Sequence, residues 1–184
     1  LTSHSENIIL ISPIGELNPE LIETLAGEIR RVFGILTETG SVLNDINFAL
    51  DQNREQYNST LILDQLAASA PPHIVKVLAI AQVDLFIPIL THVYGEAQLG
   101  GTASIVSTFR LNEGGSGMNI PTKYIDRIIK EAIHELGHTF NLRHCPEHSC
   151  IMHYCRNEKD VDRKSDQLCR YCKIMLEDEI KRLK

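Results

Sequence analysis

The stretch His134-Glu135-Leu136-Gly137-His138-Thr139-Phe140-Asn141-Leu142-Arg143-His144, followed at once by Cys145, decides how the chain must fold around it. Two histidines four apart on a helix lie on one face, nearly above one another, so His134 and His138 can reach a single cation. Glu135 stands one step round the helix and is placed beside that cation as a general base rather than as a ligand. Had the helix run on, His144 would lie about 15 Å from His134 along the axis. Three imidazole nitrogens, each about 2.0–2.1 Å from one zinc ion, forbid that. The helix must therefore stop soon after His138 and the chain must turn sharply. Asn141 sits where that turn is needed, and after glycine asparagine is among the residues that best tolerate left-handed backbone angles. The outcome is a three-histidine site with a free fourth position and a base beside it.

Cys145, Cys150, Cys169 and Cys172 follow. Adjacent residues in an extended chain point opposite ways, so His144 and Cys145 are not expected to serve one metal. Four thiolates in two pairs, the second a CxxC, suffice for a closed tetrahedral zinc site, which has no room for substrate and is therefore structural. Redox chemistry at Cys169-Arg170-Tyr171-Cys172 and a disulfide between the pairs are the competing readings. A redox CxxC belongs beside the start of a βαβ unit, whereas this one lies near the C-terminus. Cys155 and His148 have spacings that would also permit ligation, and we read both as bystanders.

With these residues in view, the chain resembles the archaemetzincins, a family within the metzincin clan of zinc metallopeptidases. Their pattern is HExxHxxGxxH, then Cys, four residues, Cys, one residue, Met, and a spacer of about seventeen residues before CxxC. Here the pattern is met by His134, Glu135, His138, His144, Cys145, Cys150, Met152, Cys169 and Cys172. Asn141 replaces the usual glycine, and the spacer after Met152 is one residue short. The resemblance implies that Met152 forms a hydrophobic floor under a catalytic zinc. Ile151-Met152-His153-Tyr154 is also similar to the corresponding turn of astacins, which implies a tyrosine able to approach the metal and the transition-state oxyanion.

At 184 residues the chain suits one domain with two lobes, which we place at 1–141 and 142–184. Hydrophobic residues at 43% and charged residues at 23% are ordinary for a soluble globular protein. A formal net charge of −6, without a Lys/Arg stripe, argues against generic nucleic-acid binding. No apolar run is long enough to span a bilayer, so no membrane partner is expected. Five cysteines clustered at one end fit metal ligation in a reducing compartment better than a disulfide frame, so a cytoplasmic monomer is expected.

Along the chain, residues 7–12 read as a buried strand, followed by a helix capped by Asn18, opened by Pro19 and ended by Gly34. A second strand is expected near residues 40–46, a helix over 58–70 with Leu61, Ile62 and Leu66 inward, and a central strand over 75–81. Strand and helix alternation argues for an α/β (α+β) layer, and the resemblance adds a twisted mixed sheet with an antiparallel edge strand. We place that edge strand at residues 100–109. Gly114, Gly115 and Gly117 mark a loop, and Pro121 opens the helix that carries His134. Glu131 is read as solvated or as lying behind the ligands. Residues 165–184 form an amphipathic helix with Leu168, Ile174, Leu176 and Ile180 on its apolar side, anchored by the cysteine site.

The expected activity is metal-assisted hydrolysis of peptide bonds, with one catalytic zinc on His134, His138 and His144 and one structural zinc on the four cysteines. Glu135 is the base and Tyr154 a further catalytic group. The resemblance extends to aminopeptidase activity. The alternative is a catalytically latent, zinc-containing module that grips a peptide without cutting it, although such a module would have no need of Glu135.

Overall fold

The apolar run at the start of the chain and the branched run in its middle become neighbouring strands in a computed structural model that describes residues 7–111 and 122–183. In chain order the elements are β1 (Ile8–Ile14), α1 (Pro19–Phe33), β2 (Leu36–Thr39), a short 3-10 turn (Asn47–Ala49), β3 (Leu50–Asp51), β4 (Gln56–Asn58), α2 (Ser59–Ser69) and β5 (Ile74–Ala81). There follow β6 (Leu85–Phe86), β7 (Gly95–Ala97), β8 (Ala103–Ser107), α3 (Thr122–Thr139), α4 (Glu158–Arg163) and α5 (Arg170–Arg182).

The main sheet has the order β2-β1-β5-β8-β7. Its pairings are parallel except at the edge, where β7 runs antiparallel to β8. β5 is the middle strand and divides its side chains between two cores. Leu78 and Ile80 meet α1 and α3, while Val77, Ala79 and Ala81 meet α2. With helices on both faces, β5 can be apolar almost throughout, and the fold is an α/β layer with a mixed sheet. A second sheet, β3-β4-β6, is short. The helix ends follow their caps. The Asn18 side chain accepts from the Glu20 amide, Gly34 closes α1 at φ 64°, and Asn58 accepts from the Thr60 and Leu61 amides.

Several expectations are corrected. The second strand lies at β2, before residues 40–46; its sequence Leu-Thr-Glu-Thr is largely exposed and lacks the apolar pattern that marks a buried strand. The edge strand is β7, not residues 100–109. β8 is buried at all five residues and pairs on both sides, so its apolar character marks an interior strand. In α2 the inward residues are Ile62, Leu63 and Leu66, and Leu61 faces solvent. Ile174 on α5 is likewise half exposed. The glycine loop and Pro121 lie outside the described residues.

The segment after α3 shares the core of α1 and α3 through Ile151, Met152, Val161, Cys172 and Leu176. Ion pairs help to fasten it. The Arg127 guanidinium, buried on α3, donates through Nε and Nη2 to both oxygens of Asp162 on α4, each at 2.7 Å. Lys164 Nζ donates to Glu131 at 2.8 Å, with both side chains buried.

Candidate active site and metal centres

Helix α3 ends at Thr139, one residue past His138, and the chain reverses through Asn141 at φ 66°. The Leu142 amide bonds the Gly137 carbonyl and the Asn141 amide bonds the His138 carbonyl, the paired bonds of a Schellman stop. Asparagine thus takes the left-handed position that glycine usually fills. Lys76, from the middle of β5, completes the stop from outside: its buried Nζ donates to the Thr139 carbonyl at 2.7 Å and the Gly101 carbonyl at 2.8 Å, and lies 4.9 Å over the Phe140 ring. A cation at a helix C-terminus also complements the helix dipole.

The reversal brings His144 back beside His134 and His138, with the three candidate ligand atoms all within 4.8 Å of one another. His134 Nδ1 lies 2.9 Å from the Ile151 carbonyl and His138 Nδ1 lies 2.7 Å from the Leu142 carbonyl. A carbonyl can only accept, so both Nδ1 atoms carry hydrogen and the Nε2 lone pairs converge, 3.1 Å apart. Burial, with Lys164 and the other imidazoles adding to it at His134, holds both rings below their ordinary pKa and opposes placing a proton between them. Converging neutral imidazoles whose outer nitrogens are fixed by carbonyls suit a zinc ion.

Glu135 is buried beside this group. Burial raises its carboxyl well above the ordinary value, and Glu131 and Glu96 add to the effect while Lys164 opposes it. Glu131 is not solvated; it is buried at the cleft wall in its pair with Lys164. An unpaired carboxylate there would be costly, and the lysine removes that cost.

Met152 is fully buried beneath α3, and a Cβ added at Gly137 would come within 2.5 Å of its sulfur. Tyr154 is half exposed, its ring centroid 5.1 Å from that of His144. The histidines open into a cleft of about 540 Å3 walled by β7, residues 87–94, Leu99, α3 and residues 154–156. β7 sits close above Glu135: a Cβ at residue 95 would meet its Cγ at 2.7 Å, so only glycine fits there.

Cys145, Cys150, Cys169 and Cys172 form a second group whose sulfurs lie within 4.8 Å of one another, and none of the five cysteines is in a disulfide. The Cys169 amide donates to the Cys150 sulfur, as amides do around tetrathiolate sites. Cys155 lines the cleft instead, and His148 pairs with His153 at the surface, 3.1 Å between ring nitrogens. Neither joins the four-sulfur group.

A sequence model described as "Peptidase family M54" matches residues 29–178, a span that holds both groups. The chain belongs to peptidase family M54. Among its relatives, the archaemetzincin of Archaeoglobus fulgidus is 34% identical over 168 residues, covering 89% of this chain and 95% of that one. The crystal structure of the Methanopyrus kandleri archaemetzincin superposes with a TM-score of 0.83 at 27% identity, covering 98% of this chain and 99% of that one. A structure described as a zinc-dependent peptidase from Methanocorpusculum labreanum gives a TM-score of 0.80 at 26% identity, covering 92% and 100%. This M54 chain is a zinc metallopeptidase with an α/β fold, and it carries a three-histidine and a four-cysteine group that could each bind metal.

Sequence reading missed the residues that brace this M54 site. Lys76 left one signal, a lone lysine inside an otherwise apolar strand buried on both faces. Gly95 and Lys164 left none, because each acts on residues forty and thirty-three positions away that only the fold brings near.

Proposed function

We propose that this M54 peptidase hydrolyses peptide bonds with His134, His138 and His144 as zinc ligands and Glu135 as general base, and that Cys145, Cys150, Cys169 and Cys172 hold a second, structural zinc. The observation that carries this is the convergence of two carbonyl-fixed imidazoles with a buried carboxylate next to them in sequence. Zinc at the histidines supplies Lewis acidity, polarising a carbonyl and acidifying water. Glu135 takes the proton of the attacking water and returns it to the leaving amine. Tyr154, whose ring stands 5.1 Å from that of His144 and lines the same cleft, is assigned as a donor to the developing oxyanion.

The substrate backbone is held by β7. Ser107 donates to the Tyr94 carbonyl and Gln98 to the Ala103 carbonyl, so Tyr94, Glu96 and Gln98 pair inward with β8. By alternation, the N–H and C=O groups of Gly95 and Ala97 face the open edge, where an extended peptide can add as a strand. Trimming from the amino end, which the family resemblance allows, would need a carboxylate for the substrate ammonium. Glu96 lines the cleft and takes hydroxyl bonds from Ser59 and Thr60. Residues 142–184 form the lower lobe in this reading, acting as a monomer in the cytoplasm with neither nucleic acid nor membrane as partner.

Incubation of a diverse peptide mixture with zinc-loaded protein, read by mass spectrometry, tests the activity. Cuts that disappear in Glu135→Ala support the reading, and their positions separate end-trimming from internal cleavage. Absence of any cut by zinc-loaded protein would favour the latent peptide-binding module.

A further inference from the structure

Two guanidinium groups in the cleft have no carboxylate partner among the described residues, although the chain as a whole has a formal net charge of −6. Arg143 and Arg156 both line it, both are exposed, and among the described residues neither guanidinium has a hydrogen bond or ion pair. Elsewhere Arg31, Arg110, Arg127, Arg163 and Arg182 each meet a carboxylate, while Arg30 and Arg170 have no such pair among the described residues; Arg143 and Arg156 are set apart by lying in the cleft. The acidic residues of the cleft do not supply partners. Glu131 is taken by Lys164, Glu96 is held by the hydroxyls of Ser59 and Thr60, and Glu135 is the base.

The two arginines stand at opposite ends of the edge strand. Arg143 precedes His144 just past the end of α3, where the His138 carbonyl accepts from the amide of Gly100, three residues beyond β7. Arg156 lies two residues before Glu158, whose carboxylate accepts from the Tyr94 hydroxyl at 3.3 Å, immediately before β7 begins. A peptide paired antiparallel to β7 therefore has its amino-terminal part towards Arg143 and its carboxyl-terminal part towards Arg156. Antiparallel pairing is the more stable arrangement per residue.

We propose that the enzyme selects peptides with acidic side chains flanking the cut bond, Arg143 taking a carboxylate on the amino-terminal side and Arg156 one on the carboxyl-terminal side. The proposal rests on the peptidase reading above and names its substrate class. A guanidinium binds a carboxylate through two parallel N–H bonds, so the selection is for Asp and Glu rather than for any polar residue. Because both arginines are exposed, each contributes about fivefold at most, and salt screens it.

The test uses decapeptides that differ only in bearing Glu, Gln or Lys at the second residue on either side of a central Ala-Leu bond. Turnover is measured at low and high salt with the zinc-loaded wild type, Arg143→Gln and Arg156→Gln, each checked for zinc content. In parallel, binding of the same peptides to zinc-loaded Glu135→Gln is measured, which needs no turnover. The expected result is a Glu over Gln preference of about fivefold per side that weakens with salt. Arg143→Gln removes the amino-terminal preference alone and Arg156→Gln the carboxyl-terminal one alone. Equal handling of Glu and Gln peptides, or a preference that survives both substitutions, overturns the proposal. If no peptide is cut, the peptidase reading fails by itself, and the binding series still decides the charge selection.

Discussion

Gly137 and Met152 touch so closely that a Cβ on the first would fall 2.5 Å from the sulfur of the second. The helix turn between His134 and His138 therefore rests directly on the buried methionine, and the height of the histidines above it is set by the missing side chain. Gly137→Ala gains about 1 kcal/mol of helix propensity. It forces a fully buried Met152 to move, which costs about 1–3 kcal/mol. The second effect is the larger, so the urea midpoint should fall; a rise would show that the contact is slack.

Lys76 is predicted to be the brace of the helix end. Lys76→Met leaves the buried Thr139 carbonyl and the partly buried Gly101 carbonyl without this donor and should destabilise the protein by about 2–4 kcal/mol. Equilibrium unfolding measures this, and amide exchange at residues 139–142 should accelerate more than in β1. An unchanged denaturation curve would contradict the role.

The site's outline was legible in sequence because its candidate ligands are local: the i, i+4 histidines, the turn at Asn141 and the spacing to Cys145 all fall within a dozen residues. The central strand was legible because burial on both faces leaves a continuous apolar run. β7 was not legible. Its Gly-Glu-Ala has poor strand propensity and exists as a strand because β8 offers partners and Glu135 leaves room only for Gly95. The Glu131–Lys164 pair was missed for a related reason: charge in a sequence reads as solvation until the fold shows both groups buried together.

If the four cysteines hold a structural zinc as proposed, removing it should unfold residues 142–184. Cys169→Ser, or chelation strong enough to strip both sites, is expected to lower the melting temperature by about 10 °C or more, since structural zinc contributes folding free energy outright. Cys155→Ser, outside the four-sulfur group, should leave it within a degree or two. An equal effect from the two substitutions would argue against the assignment of ligands.

Acid stability should depend on Asp162. The bidentate bonds from Arg127, joined by Lys123, hold its carboxyl well below the ordinary value, burial opposing them. A carboxyl depressed in the folded state stabilises above its unfolded pKa, and that contribution is lost as pH falls from about 4 through the folded value. Asp162→Asn should therefore cost about 2–3 kcal/mol at neutral pH, because the buried Arg127 loses its bidentate bonds to an ionised carboxylate, and the cost should shrink on acidification. Urea curves at neutral and acid pH check the sign; a difference that grows on acidification would contradict it.

The most direct test pairs metal content with turnover in Glu135→Ala. The histidines, not Glu135, are assigned to hold the catalytic zinc, so elemental analysis should find as much zinc per chain as in the wild type. Peptide hydrolysis should fall by about a thousandfold or more, the scale at which proton transfer and positioning by one essential carboxylate contribute. Zinc retained with turnover lost is the predicted result. Turnover retained, or zinc lost with the carboxylate, would contradict the assignment of Glu135 as the base of this peptidase.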